Sequence, residues 1–79
     1  MARDVARKAL FQATQMERAV RVLAQDAVTE GARMHLNGLL DEAFPEVSGR
    51  VRGTVKGQVT KGNYGFACTW IESRMRERS

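Results

Sequence analysis

From Phe44 the chain reads FPEVSGRVRGTVKGQVT, with valine at every fourth position (Val47, Val51, Val55, Val59) and glycine midway between (Gly49, Gly53, Gly57). A repeat this strict leaves few ways to sort apolar from polar side chains. Under the two-residue period of a strand, every odd position is Val or Gly. The even positions are Ser48, Arg50, Arg52, Thr54, Lys56, Gln58 and Thr60, so one face is small and apolar and the other polar and basic. Lys61-Gly62-Asn63-Tyr64 follows, and its Gly-Asn centre suits a two-residue hairpin turn. The pattern therefore predicts a β-hairpin over 45–71, with the return strand from Tyr64 to Ile71. That turn sets Lys61 opposite Tyr64, Val59 opposite Phe66, Gly57 opposite Cys68 and Val55 opposite Trp70, all on one face. Phe66 and Trp70 would then cover the bare backbone at Gly57.

The rest of the chain must supply what such a ribbon packs against. From Arg3 to Phe44 there is no proline, and Ala, Leu, Gln, Arg and Glu, all good helix formers, are frequent. On a helical wheel Val5, Ala9, Ala13, Met16, Val20, Leu23, Ala24, Ala27, Gly31, Met34 and Gly38 share one broad stripe, while Arg7, Arg18, Glu30 and Arg33 lie away from its centre. Leu36, Leu40 and Phe44 point away from that face. The shift predicts a break or kink between Gln12 and Gln15, near Gly31, or at both. The stripe is made of small residues, so the Val/Gly face of the ribbon or a neighbouring subunit can approach the helix backbone closely. Pro45 ends the helical region, because the residue before a proline is pushed out of the α conformation. Glu72 to Ser79 is charged at almost every position and fits either a final helical turn or a solvated tail.

Seventy-nine residues make one small domain. A chain of this size buries only about 60% of its unfolded surface, so its core is marginal. With one cysteine, Cys68, no internal disulfide can compensate, and one histidine and one cysteine make a structural zinc site dependent on carboxylates or a partner chain. The N-terminal MARDVARKALFQA is broken by charge every few residues and lacks the apolar segment of a secretory signal. No run is long enough to span a bilayer. The net charge of +4 permits nucleic-acid contact without a histone-like excess. Between Val47 and Ile71 there are four basic residues (Arg50, Arg52, Lys56, Lys61) and no acid.

The segment P-E-V-S-G-R-V-R-G-T-V (Pro45 to Val55) resembles a motif of the small neck and tail-completion proteins of long-tailed bacteriophages. In that family a long amphipathic helix is followed by a segment like P-V-D-T-G-R-L-R-R-S-I, which turns into the first strand. Pro45 takes the proline place, Ser48-Gly49 the Thr-Gly place, Arg50, Val51 and Arg52 follow in register, and Thr54 and Val55 stand as the Ser-Ile pair. Tyr64 to Glu72 (YGFACTWIE) is similar to the family's second landmark, a strand ending in a hydrophobic-Glu pair. The family usually continues with Gly-Thr and a Pro-Phe-rich segment, whereas here Glu72 is followed by Ser73-Arg74. The resemblance implies a virion protein, assembled in the host cytoplasm, at the neck or tail end.

No catalytic constellation is legible. His35 has no second group fixed beside it by sequence, so a surface or hydrogen-bonded histidine is expected rather than a general base. Cys68, on the inner face of the expected hairpin, is read as a small buried hydrophobe. The valine-spaced glycines lack the Gly-Lys-Ser/Thr ending of a phosphate loop. Asp41, Glu42 and Glu46 form an acidic cluster near a helix C-terminus, where the macrodipole disfavours negative charge, and they read as an interaction or solvated surface. Arg50, Arg52 and Lys56 on the polar strand face are the best candidate contacts, either for phosphates or for acidic residues of a neighbouring subunit. They lack interleaved aromatics for stacking on bases.

The expectation is thus an α+β domain over 1–79: a long helical region, continuous or broken (1–44), a twisted antiparallel hairpin (45–71) and a charged turn or tail (72–79). Its expected role is non-enzymatic, without metal or cofactor. Copies would form a ring at the phage head–tail connector, meeting portal, adaptor or tail proteins and no membrane. The alternative is a small basic nucleic-acid-binding protein using Arg50, Arg52 and Lys56.

Overall fold

The computed structural model describes residues 3–77, which form four α-helices: α1 (Arg3–Val22), α2 (Glu30–Ala43), α3 (Gly49–Thr60) and α4 (Tyr64–Glu77). A short 3-10 turn at Gln25–Ala27 links α1 to α2. The expected β-hairpin is absent among these residues, and the fold is all-α rather than α+β. The charged segment from Glu72 continues α4 as far as Glu77; residues 78 and 79 lie outside the described residues.

The Val/Gly repeat misleads for a geometric reason. A spacing of four is a whole number of strand repeats, yet it also falls only about 40° beyond one helical turn. In α3 this drift carries the valines gradually around the helix. Val55 and Val59 are buried, while Val51 is 42% exposed, and Val47 is buried just ahead of the helix. What tips the segment to helix is its start and its neighbours. Ser48 is the N-cap of α3, its Oγ accepting from the Val51 amide at 3.2 Å. This is the local use open to the Ser-Gly pair, turned to opening a helix rather than a strand.

The reversal at residues 62–63 does occur, but it joins two helices. Gly62 has φ of 91° and is the one described residue in the left-handed region, a conformation that costs glycine little. The Asn63 amide donates to the Gln58 carbonyl at 2.9 Å and its side chain to Gln58 Oε1 at 2.7 Å, closing the end of α3. With no ladder, the pairing of Val59 with Phe66 and of Val55 with Trp70 does not form. A Cβ built on Gly57 meets nothing within 4 Å, so no ring covers that glycine.

The helical region breaks once. α1 is continuous through residues 12–15, and the chain leaves it after Val22 to restart at Glu30, beside Gly31. Thr29 caps α2, its side chain accepting from the Ala32 amide at 3.1 Å. The break changes which face is inward. Ala9, Ala13 and Met16 of the small-residue stripe are buried, whereas Leu23, Ala24, Ala27, Gly31, Met34 and Gly38 are exposed and Leu36, Leu40 and Phe44 take their place inside. Pro45 ends α2 as expected, with Phe44 as C-cap.

α1 packs on α2 and α4, and α3 packs on the same two helices from the other side, so α1 and α3 lie across the core from one another. Between them are Ala6, Ala9 and Ala13, then Leu36, Leu39 and Leu40, then Val55 and Val59, and finally Tyr64, Ala67 and Ile71. Tyr64 is fully buried, and its hydroxyl accepts from Arg33 Nη1 at 3.4 Å; the same Nη1 donates to the Val28 carbonyl at 3.0 Å. These contacts tie the α1–α2 connection to the start of α4.

Glycine inside an α-helix is less stable than alanine by about 0.5–1 kcal/mol. Gly53 and Gly57 lie within α3, and an added Cβ meets nothing within 4 Å at either. Replacing both, Gly53→Ala and Gly57→Ala, is expected to stabilise the fold by about 1–2 kcal/mol, read as a higher urea midpoint at unchanged slope.

Candidate functional site

Three of the residues expected to meet a partner, Asp41, Arg52 and Lys56, meet each other instead. Asp41 projects from α2 toward α3, where Arg52 and Lys56 stand one turn apart. Arg52 Nη1 donates to Asp41 Oδ1 at 2.9 Å, and Lys56 Nζ donates to Oδ2 at 2.9 Å and to Oδ1 at 3.1 Å. Arg52 Nε also donates to the Val47 carbonyl at 3.1 Å, fixing the α2–α3 link. On a strand Arg50, Arg52 and Lys56 would share a face. On a helix Arg50 lies about 200° around from Arg52, and it is exposed on the first turn of α3. Glu42 is exposed on α2, and Glu46 sits in the link and is also engaged. The acidic and basic clusters are therefore brought together only in part, as an internal clasp between α2 and α3.

Removing its centre, Asp41→Ala, leaves two cations adjacent without a counter-charge. The groups are partly solvated, so the expected loss is modest, about 0.5–1.5 kcal/mol. It should appear in urea unfolding and shrink as salt is raised.

The two other single residues have ordinary surroundings. Cys68 is half-buried on α4 with its Sγ 3.8 Å from Thr14 Oγ1 of α1, and burial pushes its thiol pKa up, away from reactivity. His35 is exposed on α2. Among the described residues no group of three or more His, Cys, Asp or Glu could hold a metal ion. No helix among the described residues is long and apolar enough to cross a membrane. Trp70 packs edge-on against Phe44 with ring centroids 4.9 Å apart, and the Arg74 guanidinium lies 5.6 Å from its ring centre. The ring is half-buried, and its outer part borders a surface hollow with Phe66, Thr69 and Ser73.

What remains is a surface that the strand pattern did not draw attention to. The outward side of α1 and the adjoining edge of α2 form an open groove of about 610 Å³, lined by Arg7, Lys8, Phe11, Gln12, His35 and Leu39. Met34, Gly38 and Glu42 extend it along α2. Phe11 is 64% exposed and Met34 67%. The helix geometry dictates this: Ala6, Ala9, Ala13 and Met16 turn inward, which leaves Phe11 on the opposite side between Lys8 and Gln15. The signal was present in the sequence, since Phe11 falls outside the small-residue stripe. The groove thus combines a large apolar ring, a flexible thioether and two cations. It can bind, but it places no nucleophile beside a base.

No protein family, curated protein or solved structure matches this chain.

Proposed function

We propose that this chain is a small non-enzymatic assembly protein that works by docking through the outward face of α1 and the adjoining edge of α2. The observation carrying this reading is the exposure of Phe11 and Met34 on either side of a groove bordered by Arg7 and Lys8. Single exposed apolar residues are ordinary, but a cluster of large ones rimmed by charge is the usual character of a contact surface. The reading keeps the assembly role expected from the sequence and changes its contact, since there is no open strand edge to recruit a neighbour. The resemblance to phage neck and tail-completion proteins, with the ring and the virion context it implies, rests on the order of its motifs alone. Pro45 and Ser48-Gly49 here end one helix and begin another. The nucleic-acid alternative loses support, because Arg52 and Lys56 are already balanced by Asp41.

A photo-crosslinking residue placed at Phe11, compared with one at the exposed Thr54 of α3, tests the reading in the cells that make the protein. Position 11 is expected to give a discrete adduct and position 54 none. Equal labelling at both positions, or none at either, rejects the α1–α2 face as the working surface.

A further inference from the structure

The groove reading leaves its occupant open, and building on it we infer that the occupant of the α1 face is a second copy of this chain, docked antiparallel about Phe11. Along α1 the exposed residues Asp4, Lys8, Phe11, Gln15 and Arg18 are spaced alternately four and three apart. That spacing sets them in one line along the outward face of the helix, where a second helix can lie beside it. Centred on Phe11, the α1 helices of the two copies overlap from residue 3 to residue 19, most of the helix.

The charges choose the direction. A parallel pair would set Lys8 on Lys8 and Arg18 on Arg18. In an antiparallel pair centred on Phe11, residues equidistant from it face each other. Asp4 and Arg18 each lie seven residues away, so both ends of the seam join a carboxylate to a guanidinium. Arg7 meets Gln15, and Lys8 meets Thr14, so no like charges are apposed. The two Phe11 rings, the large apolar residues at the middle of the seam, meet at the two-fold axis, with the groove edge formed by Leu39 beside each. Asp4 and Arg18 make no ion pair with other described residues that would compete. The seam is largely polar, so the dimer is a weak one.

Sedimentation equilibrium of the full chain is expected to give a weight-average mass rising from 8.8 kDa toward twice that value as concentration increases. Phe11→Asp should weaken dimerisation by about a hundredfold while the helical circular dichroism stays unchanged, because the ring is exposed. Asp4→Arg alone and Arg18→Asp alone should each weaken it by about tenfold. The double variant D4R/R18D should recover to within about threefold of the parent. A folded wild-type chain that remains at 8.8 kDa up to about 0.5 mM overturns the proposal. So does a dimer insensitive to Phe11→Asp, or a double variant no better than the singles. A monomer that still crosslinks from position 11 to a different protein, or to nucleic acid, sinks the self-pairing while leaving the docking face intact.

Discussion

Phe44→Ala is expected to leave the protein largely unfolded at room temperature. Phe44 is only 1% exposed, at the C-terminus of α2 beneath α4. Truncating a buried phenylalanine costs about 3–5 kcal/mol, through lost transfer free energy and the cavity left behind. The edge-to-face contact with Trp70 adds about 0.5–1.5 kcal/mol that alanine cannot supply. A domain of this length has a total stability at the low end of about 5–15 kcal/mol, so the two losses together match or exceed it. Equilibrium urea unfolding followed by Trp70 fluorescence measures the effect directly, because the indole reports on the lost neighbour. Two of the three phenylalanines make an internal comparison. Phe11→Ala, at an exposed position, should change stability by no more than about 0.5 kcal/mol, even though it removes the same ring. If the two variants lost equal stability, the inward and outward faces assigned here would be wrong.

The second large effect runs in the opposite chemical direction. Ala13→Leu adds apolar surface and is expected to destabilise the fold by about 1–3 kcal/mol, or more. Ala6, Ala9 and Ala13 are fully buried along the side of α1 that faces α2 and α4, and their short side chains let those helices come close. A leucine there must push one helix away or adopt a strained rotamer. The same substitution at Gln15, two residues on but exposed, should cost almost nothing. A lower thermal midpoint for Ala13→Leu, with the Gln15→Leu midpoint unchanged, is the expected result; equal midpoints would refute close packing at Ala13.

Both effects bear on how much was readable beforehand. The break in the helical region falls at 23–29, ahead of Gly31, which is itself inside α2, whereas the stop at Pro45 and the reversal at Gly62-Asn63 follow from local chemistry. Each depends on a residue whose backbone preference is strong whatever surrounds it. The identity of α3 was another matter. Its valines suit a strand by propensity and by a period of two, and the glycines weaken the case for a helix. Burial on α2 and α4 overrode that preference, with the Ser48 cap as its local accomplice. The single basic face was lost by the same step. Read as a strand, Arg50, Arg52 and Lys56 form a single basic face aimed at a partner. Read as a helix, two of them turn back to Asp41 and the free surface moves to α1.

Alone, the order of residues determined the stop at Pro45, the reversal at Gly62-Asn63, and that α1 has one face of small residues opposite Phe11. Those outcomes are set within a few neighbouring positions, by backbone torsion and helical period. Only the tertiary structure decided that residues 49–60 are helical and that Asp41 is spent on Arg52 and Lys56. It also decided that the inward face changes between α1 and α2. The physical reason is that a repeat of four satisfies strand and helix alike, and only contact with the other helices lifts that degeneracy.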